Sequence, residues 1–122
     1  MSRVIHFDIS AKEPQKAVEF YTNVFGWRFE KWNNPGMEYW LVMTGDEKAP
    51  GIDGGLGLGD PVRSVVNTIG VKDLDATLAK VREHGGKVVQ PRGPIPGVGW
   101  YAAFEDPTGN QFGLMQEDRS AK

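Results

Sequence analysis

Hydrophobic residues along the chain form two successive series of the same kind. Short apolar runs rich in β-branched residues, such as Val4–Ile9, are typical of strands. Between Pro14 and Phe25 the apolar residues recur at steps of three and four, which predicts an amphipathic helix. Ser10 is its predicted N-cap, and Gly26 is the residue predicted to end it. The predicted buried stripe of this helix consists of Ala17, Phe20, Tyr21, Val24 and Phe25.

The rest of the pattern completes the first series and then repeats it. Asp73 is a predicted cap for a second helix with Leu74, Leu78 and Val81 on its apolar side, and Gly85-Gly86 is predicted to end that helix. The glycine- and proline-rich stretch 91–99 predicts a loop, and residues 117–122 predict a frayed tail. The remaining predicted strands are Trp27–Trp32, Glu38–Met43, Gly54–Leu58, Val65–Val71, Lys87–Gln90, Trp100–Phe104 and Gln111–Gln116.

The two series are related by a nearly constant offset. Gly26 and Gly86 stand 60 positions apart, and so do Trp40 and Trp100. Only the last strand of each series departs from this offset, because Gly55-Leu56 matches Gly113-Leu114 at a separation of 58 positions. Repetition at half the chain length indicates one supersecondary unit used twice. The sequence therefore predicts an α+β fold, a single domain of two β-α-β-β-β modules at about residues 1–58 and 64–118.

Composition narrows the range of functions. The 122 residues include 39% hydrophobic and 25% charged residues, no cysteine, and a net charge of −2. A slightly acidic chain lacks the electrostatic pattern of a protein that binds nucleic acid or an anionic membrane. The absence of cysteine excludes disulfides and thiolate chemistry and agrees with a cytoplasmic location. We expect neither a signal peptide nor a membrane-spanning segment.

Several motifs follow one another in an order that resembles the vicinal-oxygen-chelate superfamily, which includes glyoxalase I, bleomycin-resistance proteins and extradiol dioxygenases. The resemblance spans almost the entire chain and is strongest for a small glyoxalase-like branch. It implies a curved mixed sheet around a cavity in which the chemistry takes place. The motifs that carry it are His6-Phe7-Asp8-Ile9, Ala17–Trp27, Val71–Ala76, Gly85-Gly86, Asp106–Asn110 and Phe112-Gly113-Leu114.

The resemblance also implies four positions for metal ligands, one on the first and one on the last strand of each module. In this chain they are occupied by His6, Gly55, Val66 and Gly113. Only His6 can bind a metal, and a divalent site usually needs at least three protein ligands. We therefore expect no cofactor. The alternative is a divalent metal at His6 with oxygen ligands drawn from Asp8, Glu105, Gln116 or Glu117, while His84 is expected in solvent.

His6 and Asp8 are the candidate catalytic pair. They share one face of the predicted first strand, because residues two apart point to the same side. Histidine titrates near neutral pH, and a neighbouring carboxylate can orient it for general acid–base work. No G-x-S-x-G element or phosphate-binding glycine loop is present, so a serine hydrolase or nucleotide-binding site is not expected.

Aromatic residues are numerous, and they predict a pocket wall for a small, partly apolar organic molecule. Alternation places Trp40 and Val42 on one face of their strand and Tyr39 and Leu41 on the other. One of these faces must pack on a helix. Arg92, in the predicted loop, is a candidate contact for an anionic ligand. The predicted ligand-binding set is Trp27, Tyr39, Trp40, Trp100, Tyr101 and Gln116.

Three functions remain open at this point. One is an atypical lyase, isomerase or hydroxylase that uses His6 and Asp8. Another is a protein that sequesters a small molecule, as the bleomycin-resistance relatives do, and needs no catalytic group. The third is a divalent-metal-dependent lyase or dioxygenase that uses His6. For each of them we expect a homodimer, because exposed sheet edges and aromatic faces of this fold are commonly paired in the proteins it resembles.

Overall fold

A computed structural model describes residues 2–33, 36–59 and 65–122. Asp60 and Pro61, which we expect to form a turn between the two modules, lie outside these residues. None of the helices within these ranges is long and apolar enough to cross a membrane. The elements are β1 (Arg3–Ala11), α1 (Pro14–Phe25), β2 (Arg28–Lys31), β3 (Tyr39–Met43), β4 (Gly54–Leu58), β5 (Val65–Gly70), α2 (Leu74–Glu83), β6 (Lys87–Ile95), β7 (Gly99–Glu105) and β8 (Gln111–Glu117).

The chain divides into two compact units. The N-terminal unit is His6–Val66, and the C-terminal unit combines residues 1–5 with 67–122. In the N-terminal unit the strands lie in the order β2-β3-β4-β1. β1 runs parallel to β4, and the other neighbouring strands are antiparallel. This mixed sheet, with α1, is one complete β-α-β-β-β arrangement.

The C-terminal unit has the same plan. Its strands lie in the order β5-β8-β7-β6, with β5 parallel to β8 and the remaining pairs antiparallel. The α+β class and the twofold use of one module are therefore confirmed. Asp106–Asn110, one of the motifs that carry the resemblance, forms the turn that connects β7 to β8. A hydrogen bond from the Asp106 backbone N–H to the Asn110 carbonyl closes this turn.

Each unit has its own hydrophobic core between its sheet and its helix. In the N-terminal unit the buried residues are Ile9, Val42 and Leu56, with Ala17 and Tyr21 of α1 packed against them. In the C-terminal unit the buried cluster contains Val71, Leu74, Leu78, Ala102 and Leu114. In both units the helix-covered face of the sheet is therefore apolar.

The first helix departs from the prediction at two points. Ser10 is not its N-cap, because β1 continues through that residue and the cap position is taken by Glu13 without a side-chain hydrogen bond. Pro14 at the first helical position suits this start, since its missing N–H would have no helical partner. The helix ends at Gly26, as predicted, with a left-handed φ of 73°.

The predicted buried stripe of α1 is also wrong in part. Ala17 and Tyr21 do pack on the core, but Phe20, Val24 and Phe25 are 54%, 55% and 60% exposed. Stacking among the aromatic side chains explains the arrangement, because Phe25 stacks on Tyr21 and lies beside Trp27 rather than entering the core. The side of the helix that carries these residues is therefore apolar and exposed.

Two segments of the C-terminal unit are more ordered than predicted. β6 continues through Pro91–Ile95 with register shifts against β7, so most of the predicted loop is strand. The C-terminal tail, residues 117–122, was predicted to fray but is held in place at Ala121. Ala121 is 5% exposed, and its carbonyl accepts a hydrogen bond from the Gly97 N–H in the β6–β7 turn.

Candidate active site

The polar residues of interest in the N-terminal unit lie on the sheet face away from α1, which we call the far face. Ile9, Val42 and Leu56 point toward the helix and form the core. Because strand side chains alternate, His6 and Asp8 of β1 and Tyr39 of β3 point the other way. The parallel register sets Asp8 beside Gly55 of β4, and β4 in turn separates β1 from β3.

Three side chains meet on this face. The Tyr39 hydroxyl donates a hydrogen bond of 2.5 Å to Asp8 Oδ1. His6 Nε2 lies 3.3 Å from the same carboxylate oxygen and 3.2 Å from the Tyr39 oxygen. The His6 and Asp8 side chains are about one-third exposed, at 34% and 36%. The result is a compact triad that remains open to a ligand.

Gly55 makes this meeting possible. Tyr39 is paired with Gly57, so its ring must cross β4 diagonally to reach Asp8. A Cβ at Gly55 would lie 2.8 Å from Asp8 Oδ1 and would overlap the Tyr39 hydroxyl. Only a residue without a side chain leaves room for the phenol at this position. The glycine is therefore part of the site, although it carries no chemical group.

Hydrogen-bond directions follow from the three groups. A 2.5 Å O–H···O contact is typical of a hydroxyl that donates to an ionised carboxylate. The Tyr39 proton is then committed to Asp8, so its oxygen and Asp8 Oδ1 can both accept from His6 Nε2–H. This assignment places the proton of a neutral His6 on Nε2 and leaves Nδ1 with a lone pair. Among the described residues, Nδ1 has no hydrogen-bond partner.

One aromatic residue outside the predicted ligand-binding set adjoins the triad. Trp32 packs edge-on against Tyr39, with ring centroids 5.8 Å apart and an interplanar angle of 68°. Its backbone N–H also donates to the Tyr39 carbonyl at 2.8 Å. These two contacts help to hold Tyr39 in place. Alternation along an aromatic-rich run was the only signal for it.

Other predicted ligand-binding residues of this unit lie on the helix side. Trp27 stacks on Tyr21 at 5.2 Å between ring centroids, and Trp40 packs against the buried core. Lys31 also lies over the Trp40 ring, 5.3 Å from its centroid. These contacts give both tryptophans a structural role. That either one contacts a ligand stays a prediction.

In the C-terminal unit, too, some predicted ligand-binding residues lie on the helix side of the sheet and one lies on the far face. Trp100 packs against the core, donates from Nε1 to Asp118 at 3.1 Å, and carries the Arg92 guanidinium 4.5 Å above its ring. Gln116 Oε1 accepts from the first N–H of α2, that of Leu74, at 2.8 Å. Tyr101, by alternation, lies on the far face of its own sheet.

Arg92 is engaged within the protein. Besides stacking on Trp100, it forms a 2.7 Å ion pair with Asp75 on α2. A planar guanidinium is well suited to bind a carboxylate and an aromatic face at once. Its predicted contact with an anionic ligand would have to compete with both.

The residues present do not fit the metal that the fold family implies. Among the described residues no group of three or more histidine, aspartate or glutamate side chains is arranged to hold a metal ion. His84 is exposed on the other unit's helix end, as predicted. At Gly55 and Gly113, two of the four family positions, the space for a side chain is taken by the hydroxyls of Tyr39 and Tyr101. We derive no metal-dependent step from this site.

Two carboxylates of the C-terminal unit have pKa values that hydrogen bonds lower. Hydrogen bonds from the Asn110 backbone and side chain, and from Thr108, hold the pKa of Asp106 far below its usual range. The Ser120 hydroxyl and the Trp100 N–H lower the pKa of Asp118. Both carboxylates are half-buried and accept hydrogen bonds from neighbouring turn residues, so these shifts mark structural groups.

Comparison with known proteins gives consistent results. The profile of the Glyoxalase/Bleomycin resistance protein/Dioxygenase superfamily matches residues 3–114. The lactoylglutathione lyase of Escherichia coli is 29% identical over 94% of this chain and 93% of its own length. A protein named as a glyoxylase, CFP32, of Mycobacterium bovis is 31% identical over 92% of this chain, which spans only 44% of that relative.

Solved structures with the same fold are more distant in sequence. A hypothetical protein, BH1468, from Bacillus halodurans superimposes with a TM-score of 0.74 at 14% identity, covering 99% of this chain and 98% of its own. A methylmalonyl-CoA epimerase bound to methylmalonyl-CoA gives 0.65 at 21% identity, covering 100% and 99%. At these identities the comparison shows the fold alone.

Proposed function

Because the chain belongs to the Glyoxalase/Bleomycin resistance protein/Dioxygenase superfamily, we propose that it is a lyase or isomerase that moves a proton on a small organic molecule. The single observation that carries this proposal is the meeting of His6, Asp8 and Tyr39 within 2.5–3.3 Å of one another. A histidine oriented by a carboxylate is a standard arrangement for general acid–base catalysis.

His6 is the base in this mechanism. Asp8 and Tyr39 hold its Nε2–H, which keeps the Nδ1 lone pair available to accept a proton from the ligand. The positive charge that develops on the ring is stabilised by the Asp8 carboxylate, 3.3 Å from Nε2. When His6 returns the proton to a neighbouring atom of the ligand, the net result is an isomerisation; when a leaving group departs first, it is a lyase reaction.

Tyr39 has a separate part in the proposal. Its hydroxyl bonds the carboxylate in the free protein, and a phenol can switch its proton to a ligand oxygen that approaches the same face. Negative charge on such an oxygen, as in an enolate, would be stabilised by that hydrogen bond. The proposed substrate is therefore a carbonyl compound with an acidic C–H beside the carbonyl. Trp32 next to Tyr39 favours a partly apolar one.

Names of relatives support this class of reaction. Lactoylglutathione and methylmalonyl-CoA, the compounds in the names of two of these proteins, are thioesters with a C–H beside a carbonyl group. We propose lactoylglutathione and methylmalonyl-CoA as the first two probes. Each would be incubated with the purified protein in D₂O, and uptake of deuterium into the probe would be followed by mass spectrometry.

The expected result is enzyme-dependent deuterium uptake that is lost in His6→Gln. Loss of a general base typically lowers the rate by about 10²- to 10⁴-fold. Asp8→Asn and Tyr39→Phe should each lower it, and the matched histidine control His84→Gln should not. Uptake that is unchanged in His6→Gln would contradict the role of the triad.

A second readout does not depend on turnover. The chain has only two histidines, so each ring gives a separately identifiable NMR signal. In the wild type we expect the His6 ring nitrogens to show the tautomer with the proton on Nε2. Asp8→Asn and Tyr39→Phe should move the His6 signals and leave those of His84 in place. A His6 proton on Nδ1 would contradict the proposed base.

The sequestering function is the alternative outcome of the same experiments. If the protein binds a probe tightly, with no deuterium uptake and equal affinity in His6→Gln, the pocket serves binding and not catalysis. Turnover that requires added Zn²⁺, Fe²⁺ or Mn²⁺ would instead support the divalent-metal alternative at His6.

A further inference from the structure

Ser10 lies on the far face of the N-terminal unit, and the mechanism proposed above does not use it. Its pattern predicts a cap for α1, but β1 continues through it and the cap position is taken by Glu13. Its neighbours Ile9 and Ala11 pack on the helix side, so Ser10 points to the same face as Asp8. Ser10 is half-buried, and its hydroxyl has no hydrogen-bond partner among the described residues. The triad is thus flanked by a hydroxyl that is available to a ligand.

The strand register places Ser10 across one glycine from Tyr39. Gly57 of β4 pairs with Ser10 on one side and with Tyr39 on the other. Residues two apart in a strand have Cα atoms about 6.5–7 Å from each other. Ser10 therefore lies at this distance from Asp8, on the opposite side of Asp8 from His6.

The space beside Ser10 is open. β4 and the residue that follows it present only glycines to the far face, Gly55, Gly57 and Gly59. The Tyr39 ring covers the first two, since a Cβ at Gly57 would lie 3.3 Å from its Cδ1 atom. A Cβ at Gly59 would meet only the Ser10 side chain, at 3.6 Å, among the described residues. Because glycine in a strand often marks a place where a ligand lies close to the backbone, a ligand can extend from Tyr39 over Gly59.

Asp8 has a second oxygen that the triad does not occupy. The Tyr39 hydroxyl and His6 Nε2 both contact Oδ1, and Oδ2 has no hydrogen-bond partner among the described residues. The Asp8 side chain is 36% exposed, so a ligand reaches Oδ2 from solvent. An ionised carboxylate oxygen only accepts hydrogen bonds, whereas a serine hydroxyl both donates and accepts. Asp8 and Ser10 therefore offer one acceptor and one donor, the combination that a hydroxyl group binds.

We propose that Asp8 Oδ2 and Ser10 Oγ form a subsite for a hydroxyl group of the substrate. The ligand hydroxyl donates to Asp8 and accepts from Ser10. A carbonyl oxygen cannot donate to Asp8, and a carboxylate is repelled by its charge. This inference rests on the proposed function, which places the reacting carbonyl at Tyr39. Because Ser10 lies further along β1 than Asp8, the hydroxyl is not on the carbon next to the carbonyl, and the substrate class is a β-hydroxy carbonyl compound.

The test compares two neutral ketones that differ by one hydroxyl group, 4-hydroxy-2-butanone and 2-butanone. Titrations of the full chain would be followed by the amide NMR signals of Gly57 and Gly59. We expect a saturable shift with 4-hydroxy-2-butanone and weaker binding of 2-butanone. Acetoacetate, which has a carboxylate in place of the hydroxymethyl group, should also bind more weakly than the hydroxy ketone.

Variants of two serines assign the hydrogen bond. Ser10→Ala should weaken the binding of 4-hydroxy-2-butanone about two- to tenfold, as the loss of one hydrogen bond does, and leave that of 2-butanone unchanged. The matched control is Ser2→Ala, which removes an exposed hydroxyl and should bind both ketones as the wild type does. Without probe, Ser10→Ala should keep the wild-type thermal midpoint, because its hydroxyl has no partner among the described residues.

The subsite is overturned if the wild type binds 2-butanone or acetoacetate as tightly as 4-hydroxy-2-butanone, or if Ser10→Ala binds the hydroxy ketone as tightly as the wild type. Its failure is distinguishable from failure of the proposed function, because binding of these ketones requires no turnover. Deuterium uptake that depends on His6, together with either of these results, overturns the subsite alone. Uptake that is unchanged in His6→Gln, together with a hydroxyl preference that Ser10→Ala weakens, overturns the proposed base and supports the subsite.

Discussion

At the scale of single residues, the candidate site depends on which groups the strand register brings together. The sequence predicted that His6 and Asp8 share a face and that Tyr39 lies on a different strand. It could not predict their meeting, because the β1–β4 register is determined in a glycine-rich strand that has no hydrophobic period to read. The decisive position, Gly55, looked like a lost metal ligand in the sequence. In the structure it is the space through which the phenol reaches the carboxylate.

Residues of the β7–β8 turn allow a prediction about pH. The pKa of Asp106 is held well below its usual value, first by the Asn110 backbone N–H and then by the Asn110 and Thr108 side chains. A lowered folded-state pKa stabilises the fold above the unfolded-state value of about 3.9, and this stabilisation is lost as pH falls below it. In Asp106→Asn we expect stability to fall less steeply below about pH 4 than in the wild type.

Urea unfolding midpoints measured between neutral pH and about pH 2 would check this, since an uncharged side chain at position 106 cannot take part in the linkage. Asn110→Ala, which removes one of the side-chain donors, should show a smaller loss of the same acid dependence. Parallel curves for the wild type and Asp106→Asn over the whole range would show that this carboxylate is not coupled to folding.

At the scale of elements, Gly55 and Gly113 occupy equivalent positions in the last strand of each unit. Each glycine lies where a tyrosine from the adjacent strand crosses it. We predict that Gly55→Ala and Gly113→Ala each destabilise the protein by about 1–3 kcal/mol, the usual range for overpacking. Gly93→Ala is the matched control, because a Cβ there would meet nothing within 4 Å.

Double variants test whether the neighbouring tyrosine causes this loss of stability. If the added methyl group acts by displacing the phenol, Gly113→Ala should lower the free energy of unfolding much less in a Tyr101→Ala background than in the wild type. The same difference is expected for Gly55→Ala in a Tyr39→Ala background. Urea unfolding of each single and double variant gives this coupling. Additive effects would mean that the glycines are required for backbone reasons unrelated to the tyrosines.

Elements with a strong local signal were predicted well and the others were not. Gly26 and Asp73 mark helix boundaries where expected, since a left-handed C-terminal residue and a capping carboxylate act within a few residues of the chain. Ser10 had the right chemistry for a cap but is used by β1, whose pairing with β4 depends on residues more than 40 positions away. The strand at Pro91–Ile95 was missed for the same reason, because its pairing with β7 overrides a local composition typical of turns.

At the scale of the whole molecule, the exposed side of α1 bears on assembly. Periodicity predicted Phe20, Val24 and Phe25 as core, and all three are more than half exposed. Apolar clusters on a surface are characteristic of protein interfaces. We therefore predict that the chain forms a homodimer that buries this side of α1, and that size-exclusion chromatography with light scattering will give twice the mass of one chain.

Val24 is the residue with which to test this, because the aromatic stacking of α1 involves Phe20 and Phe25 but not Val24. Val24→Glu should shift the protein toward the monomer without lowering its thermal midpoint beyond the effect of losing the dimer. Val89→Glu, at a single exposed apolar residue of β6, should leave the mass unchanged. A Val24→Glu protein that keeps the wild-type dimer mass would place the interface elsewhere, and a monomeric wild type would leave α1 as an exposed surface that a different partner has to cover.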